Sequence, residues 1–295
     1  MIFIIIKCHE NGINPDNVAT PIAASLGDLT TLLLLAWISN LLFMAKDTSY
    51  HWCIPLALVV FILLIPVWTF IANDIKYTEQ VLRQGWEPVV AAMFISSTGG
   101  FILEKAITVF SGIAIYTPGM NGVGGNLAAI QASRISTYLH TKSSEQGYSK
   151  PGQYKPAYLE DEKTCDCSTF TEIFNRHMKN PHKKSALVLW ALTIPGHILV
   201  LSIIQFSSSH MSGIGHTTQT PMFIIVYMLA AMVQVGFLLK LALRVTHKVW
   251  EWGDDPDNFA IPYLTAFGDL IGQVLLFAAF GLLYTLGDGD ADVGE

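Results

Sequence analysis

Charged residues are scarce in this sequence. Lysine, arginine, aspartate and glutamate together make up 14% of 295 residues, against about 25% in ordinary soluble domains. A compact water-soluble chain of this length exposes too much surface to cover with so few ionised groups. The 17 basic and 23 acidic residues leave a net charge of −6, which excludes a generally basic nucleic-acid binder. Cysteine is also rare. Cys8, Cys53, Cys165 and Cys167 are too few and too scattered for a secreted disulfide scaffold. The apolar opening Ile2 to Ile6 stops at Lys7, short of a secretory hydrophobic region. No GxxxxGK[ST] run and no preceding soluble strand are present, so a phosphate-cradling loop is a poor reading. Apolar residues are what the sequence has in abundance, at 52%, and the chain reads as a membrane protein.

Apolar runs of about 18 or more residues mark candidate spans. Residues 53–72 and 221–239 carry no charge, and 185–206 contains only His197 as a titratable group. Residues 21–44 and 259–286 are long enough but hold one aspartate each, Asp28 and Asp269. A shorter uncharged run, 89–103, extends back to Trp86. Residues 106–133 form an uncharged stretch with Pro118, Gly119, Gly122, Gly124 and Gly125 at its centre, which predicts a broken helix lining a cavity. The expected fold is all-α: a polytopic membrane bundle of seven segments with a broken helix in its main unit.

The basic residues set the expected orientation. If alternate connections share a side, 15 of the 17 lysines and arginines fall together, leaving Lys46 and Lys105 opposite. The positive-inside rule then places the amino terminus in the cytoplasm and the carboxyl terminus outside. The connection 141–184 is rich in Ser, Lys, Gly and Pro and reads as a flexible cytoplasmic loop. Its Cys165-Asp-Cys167 pair, with His177 and His182 downstream, fits no standard zinc spacing and reads as solvated thiols. The tail GDGDADVGE opens like a calcium loop but lacks the distal glutamate and the sixth-position glycine, so it reads as a solvated acidic tail.

An internal repeat is the most informative pattern. Residues 15–29, PDNVATPIAASLGDL, and 256–270, PDNFAIPYLTAFGDL, share eight of fifteen positions at a constant offset of 241. Each copy opens a membrane helix with proline in its first turn, where proline fits. The charge bias makes both copies run the same way across the bilayer, so the repeat is parallel rather than inverted. Asp28 and Asp269 each lie twelve residues beyond Asp16 and Asp257, about 18 Å along a helix.

A carboxylate in hydrocarbon costs about 2.5–3.5 kcal/mol on insertion scales, so it faces a pore or a partner. Two such groups at equal depth would repel unless one protonates or a divalent ion lies between them. Mg2+ suits such a site because it prefers oxygen and keeps part of its water shell. Asp28 and Asp269 are therefore the candidate metal ligands. Asn121, Asn126 and Gln131 offer neutral oxygens to the ion's waters, while Asp16, Asn17, Asp257 and Asn258 mark a cytoplasmic mouth. The blander readings are that the aspartates cap neighbouring groups and that the glycines only allow close packing. Glu87 and Glu104 bracket the third segment and read as interfacial; His197 reads as a hydrogen-bonded packing residue. A paired-aspartate intramembrane hydrolase is the remaining alternative, but no protease motif surrounds Asp28 or Asp269, and an enzyme is not expected.

The run VGGNLAAIQASRIST (123–137) and the doubled PDN-x-A-x-P…GDL resemble the solute carrier 41 family of magnesium transporters, relatives of the bacterial MgtE channels. The resemblance covers the chain after about Asn11 and implies two MgtE-type units of five helices each. Residues 84–286 resemble a complete second unit, 13–44 the last helix of a first unit, and 45–83 a linking transmembrane helix with its loops. Residues 1–12 stand apart as an atypical start and 287–295 form the acidic tail. Four helices of the first unit have no equivalent in this sequence, so it reads as a shortened chain. The resemblance implies an ion path lined by Asp28 and Asp269, with Gly124, Gly125 and Asn126 packed near it. The expected cargo is Mg2+, with other divalent cations and a Na+ counter-ion in the same class, and no tightly bound cofactor. A multi-pass protein of the plasma membrane is implied, its neighbours the lipid bilayer, a second copy, or a full-length relative. A non-conducting partner of such a relative is the alternative function.

Overall fold

The computed structural model describes residues 2–12, 15–46, 52–74, 78–79, 82–83, 85–148, 150–156, 181–210 and 219–287. A short helix α1 (Ile2–Glu10) precedes seven long ones: α2 (Pro15–Lys46), α3 (Cys53–Asn73), α4 (Trp86–Val109), α5 (Ile113–Glu145), α6 (Pro181–His210), α7 (Pro221–Trp252) and α8 (Pro256–Thr285). Six of the long helices are apolar enough to cross a membrane. The seventh, α5, carries the glycine-rich run and packs against α8, α7, α6 and α2. An apolar helix such as α3, exposed over residues 55–71, has the surface that lipid accepts and water does not.

Local chemistry sets the helix ends. Thr220 caps α7 by accepting the Phe223 N–H at 3.1 Å, with Pro221 at the first helical position. Gly253 ends the same helix at φ 87°, a left-handed conformation that costs glycine nothing. Asp255 then caps α8 by accepting the Asp257 N–H at 3.1 Å, with Pro256 next in line. The chain therefore turns from α7 into α8 within three residues.

One expectation is overturned. No break occurs at Pro118–Gly125; α5 is continuous from Ile113 to Glu145, and the interruption comes earlier, at Phe110–Gly112. A membrane interior offers the backbone no water, so a continuous helix that satisfies its own amides is favoured over an unwound segment. The helix penalty of glycine is offset at Gly119 and Gly124, where Val200 and Gln234 occupy the space the missing Cβ atoms leave, and at Gly125, where Gly268 of α8 comes close. The correct break was signalled by Ser111-Gly112, just beyond the charged pair Glu104-Lys105.

The core lies around α5, α7 and α8. Phe110, Tyr116, Phe223, Tyr227 and Phe280 form an aromatic cluster at one end, with Tyr116 and Phe223 rings 4.7 Å apart. Further along, Ala128, Ala132, Ala242 and Ala260 pack with Leu238 and Leu264. Small residues there let three backbones approach closely, which is how helices associate where lipid removes the hydrophobic drive. His197 lies fully buried with Nδ1 3.1 Å from the Tyr227 hydroxyl, the packing role its surroundings required.

Candidate functional site

The two copies of the repeat form helices of the same kind. Asp28 is the fourteenth residue of α2 and Asp269 the fourteenth of α8, so each lies about 20 Å from its helix start. Both helices pack on α5, which makes the glycine-rich helix the element they share. The side chains of Asp16, Asn17 and Asp28 fall outside the described residues. The Cys165-Cys167 loop and the acidic tail lie outside them as well.

Asp269 is half-buried at mid-helix, and its Oδ2 accepts a hydrogen bond of 2.8 Å from Ser96 Oγ of α4. Gln273, one turn further along α8, brings Oε1 against Gly99 of α4, one turn beyond Ser96; a Cβ at Gly99 would lie 2.6 Å from it. The α4–α8 seam is thus polar over two successive turns. Ser96 and Gln273 were not picked out from the sequence; Ser96 opens the run SSTGG at 96–100, the only available signal.

The adjacent face of α8 is built for close contact. A Cβ at Gly268 would meet Gly125 Cα of α5 at 3.3 Å. A Cβ at Gly124 would lie 2.8 Å from Gln234 Nε2 of α7, and one at Gly272 would overlap Asn121 Oδ1. Gln234 is fully buried, and its Nε2 donates to the Gly268 carbonyl at 3.0 Å. Gly124 and Gly125 therefore sit where α5, α7 and α8 meet, beside the helix turn that carries Asp269. Asn126 follows them, half-buried on α5. Gln234 was missed in the sequence because it is one neutral residue in the uncharged run 221–239.

Three buried amide oxygens, Gln234 Oε1, Gln273 Oε1 and Asn121 Oδ1, have no hydrogen-bond donor among the described residues. Each buried acceptor left without a donor costs about 1–3 kcal/mol. Gln131 is placed elsewhere: it is fully buried and its Nε2 donates to the His182 carbonyl at 2.9 Å, tying α5 to the start of α6.

The end of α5, the starts of α6 and α8 and the end of α7 share one face of the bundle. His140 Nε2 of α5 lies 3.3 Å from Asp255 Oδ1 at the start of α8, and the His182 and His247 rings are 6.2 Å apart. Trp250 Nε1 donates to the Tyr154 carbonyl at 2.8 Å, holding the segment after α5 against the end of α7. Asp257 and Asn258 lie on this face, Asp257 exposed and Asn258 half-buried. The His140–Asp255 hydrogen bond raises the imidazole pKa above its ordinary 6.5, against a smaller lowering by burial. Burial pushes the Asp255 carboxyl upward, but the bonds to His140 and to the Asp257 N–H together hold it below the usual value.

Comparison with known proteins bears on this arrangement. A family model described as a divalent cation transporter, MgtE, matches residues 117–279, from the second turn of α5 to the last turns of α8. Solute carrier family 41 member 2 of Xenopus laevis is 48% identical over 299 residues, covering all of this chain and 49% of the relative. The Homo sapiens member 2 is 48% identical over 297 residues, covering all of this chain and 48% of its own. Member 3 of Rattus norvegicus is 41% identical, with 60% of the relative covered. The chain thus spans about half the length of its member 2 relatives, and the matches include the opening residues placed outside the resemblance above. No solved structure matches it. With the matched segment running through the α5, α7 and α8 contacts described above, the chain belongs to the MgtE family of divalent cation transporters.

Proposed function

We propose that this chain moves divalent cations, chiefly Mg2+, across a membrane along a path lined by Asp28 and Asp269. One observation carries the reading: a carboxylate fourteen residues into a long apolar helix occurs twice, at the same register, in α2 and α8. Each carboxylate would be costly there without a cation or a water-filled surrounding. A hydrated Mg2+ supplies both, since it binds through one or two carboxylates and retains several waters. Asp269 holds one edge of the path with Ser96 beside it. Asn126 lies one residue past Gly125, close to the α8 turn that carries Asp269. Gln131, bonded to the His182 carbonyl, acts by fixing α5 rather than by meeting the ion.

Asp16, Asn17, Asp257 and Asn258 form the mouth, on the face that collects most of the basic residues. That face is cytoplasmic in this reading, with the amino terminus on the same side and the carboxyl terminus outside, in the plasma membrane. If transport is coupled to a counter-ion rather than channel-like, Na+ is the expected one.

The test is growth and 25Mg2+ uptake in a transporter-deficient, magnesium-requiring cell expressing this chain alone or extended to the length of its relatives. Uptake by the chain alone supports transport by this polypeptide. Absence of rescue, with co-purification of a full-length family member, assigns it instead the role of a non-conducting partner.

A further inference from the structure

The face that carries the mouth also gathers groups of a different chemistry. His140, in the last two turns of α5, Asp255, the cap of α8, and Asp257, in the first turn of α8, present ligand atoms that all lie within 4.8 Å of one another. Two helices supply them, and one of the three is an imidazole. The His140 ring lies edge-on against Trp250 with centroids 5.0 Å apart, a contact that orients it towards Asp255.

We propose that His140, Asp255 and Asp257 form a binding site for a divalent first-row transition-metal ion, of which Zn2+ is the type, clasping the end of α5 to the start of α8. The donor set selects this class. One imidazole nitrogen with two carboxylate oxygens suits zinc and its neighbours, whereas Mg2+ prefers oxygen alone. The geometry is nearly in place. Ligand bonds of about 2.0–2.2 Å in a tetrahedron hold donor atoms about 3.3 Å apart. His140 Nε2 and Asp255 Oδ1 already lie 3.3 Å from one another, and an Asp257 carboxylate oxygen lies within 4.8 Å of both. A fourth position faces solvent and takes water.

The inference does not depend on transport along Asp28 and Asp269, because the site lies at the other end of the first three turns of α8. Its consequence is mechanical. A metal clasp fixes the helix carrying Gly124 and Gly125 to the helix carrying Asp269, at the face where ions would enter. The second repeat alone has the required residues: the positions equivalent to Asp255 and Asp257 are Asn14 and Asp16.

The test uses the full chain purified in detergent, with Cys165→Ser and Cys167→Ser introduced so that the loop thiols cannot bind metal. Zn2+ binding is followed by equilibrium dialysis, and Co2+ binding by quenching of Trp250, whose ring touches His140. The expected result is about one Zn2+ per chain, weakened at least about tenfold by His140→Ala and by Asp257→Asn. Asp255→Asn should weaken it as well while preserving the α8 cap, since asparagine caps helices as readily as aspartate. Asp28→Asn with Asp269→Asn should leave it unchanged, which separates this site from the transport path. Two results overturn the proposal: Zn2+ binding of wild-type strength in both His140→Ala and Asp257→Asn, or Co2+ quenching that is the same with Trp250→Phe as without it.

Discussion

Gly268 of α8 stands against Gly125 of α5 so closely that a Cβ on the former would lie 3.3 Å from the Cα of the latter. This contact, one residue before Asp269, sets the spacing of the helices that bear the polar site. Substitution along α8 should therefore depend on position. Gly272→Ala places a Cβ 2.6 Å from Gln234 Nε2 and into Asn121 Oδ1, and should destabilise the bundle by about 1–3 kcal/mol. Gly281→Ala, with nothing within 4 Å, should be neutral or stabilising by up to about 1 kcal/mol. Thermal unfolding in detergent checks the contrast; equal effects would mean that α5 and α8 are not packed as described.

The Tyr227 hydroxyl faces His197 Nδ1 at 3.1 Å inside the bundle. Tyr227→Phe keeps the ring and its stacking on Phe223 but removes the partner of a buried nitrogen. A loss of about 1–3 kcal/mol is expected, read as a lower melting temperature. Tyr284→Phe, on an exposed position of α8, serves as the control and should change nothing measurable.

Ser96 donates to Asp269 at 2.8 Å, and a hydrogen bond to a charged group is worth about 1.5–3 kcal/mol. Ser96→Ala should therefore lower divalent-cation uptake, on the order of tenfold if about 1.4 kcal/mol of carboxylate positioning is lost. Ser96→Thr keeps the hydroxyl and should retain most of the uptake. Equal loss in both variants would show that the hydroxyl does not act through Asp269.

His140 and Asp255 give the mouth face a pH dependence when metal is chelated. The pKa of His140 is raised, first by its bond to Asp255. Its contribution to stability is therefore fully present below about pH 6.5 and is lost as pH rises through the higher folded value. Both side chains are more than a third exposed, at 43% and 36%, so the effect should stay under about 1 kcal/mol. With EDTA present, the melting temperature of the wild type should exceed that of His140→Gln at roughly pH 6 and match it at roughly pH 8.5. A gap that widens with pH would contradict the pair.

The membrane helices were legible because an uncharged run such as 221–239 or 53–72 has few alternatives to crossing a bilayer. The repeat was legible because PDN and GDL recur at one offset, and the structure gives both copies the same register in α2 and α8. The glycine run was misread. Gly124 and Gly125 carry a helix penalty in isolation, and what offsets it is Gln234 on α7 and Gly268 on α8, each more than a hundred residues away. The same limit hid Ser96 and Gln273: both are neutral, and only the α4–α8 seam gives them a partner or a place. His140 and Asp255 were missed for a related reason, since 115 residues separate them and only the packing of α5 on α8 brings them to 3.3 Å.

The central claim is that Asp28 and Asp269 carry the ion. It is tested most directly by 25Mg2+ uptake in the transporter-deficient cell, comparing wild type with Asp28→Asn/Asp269→Asn at equal membrane abundance. The account predicts uptake by the wild type and none above background by the double variant, with both inserted alike. Magnesium uptake by the double variant at the wild-type rate would contradict it.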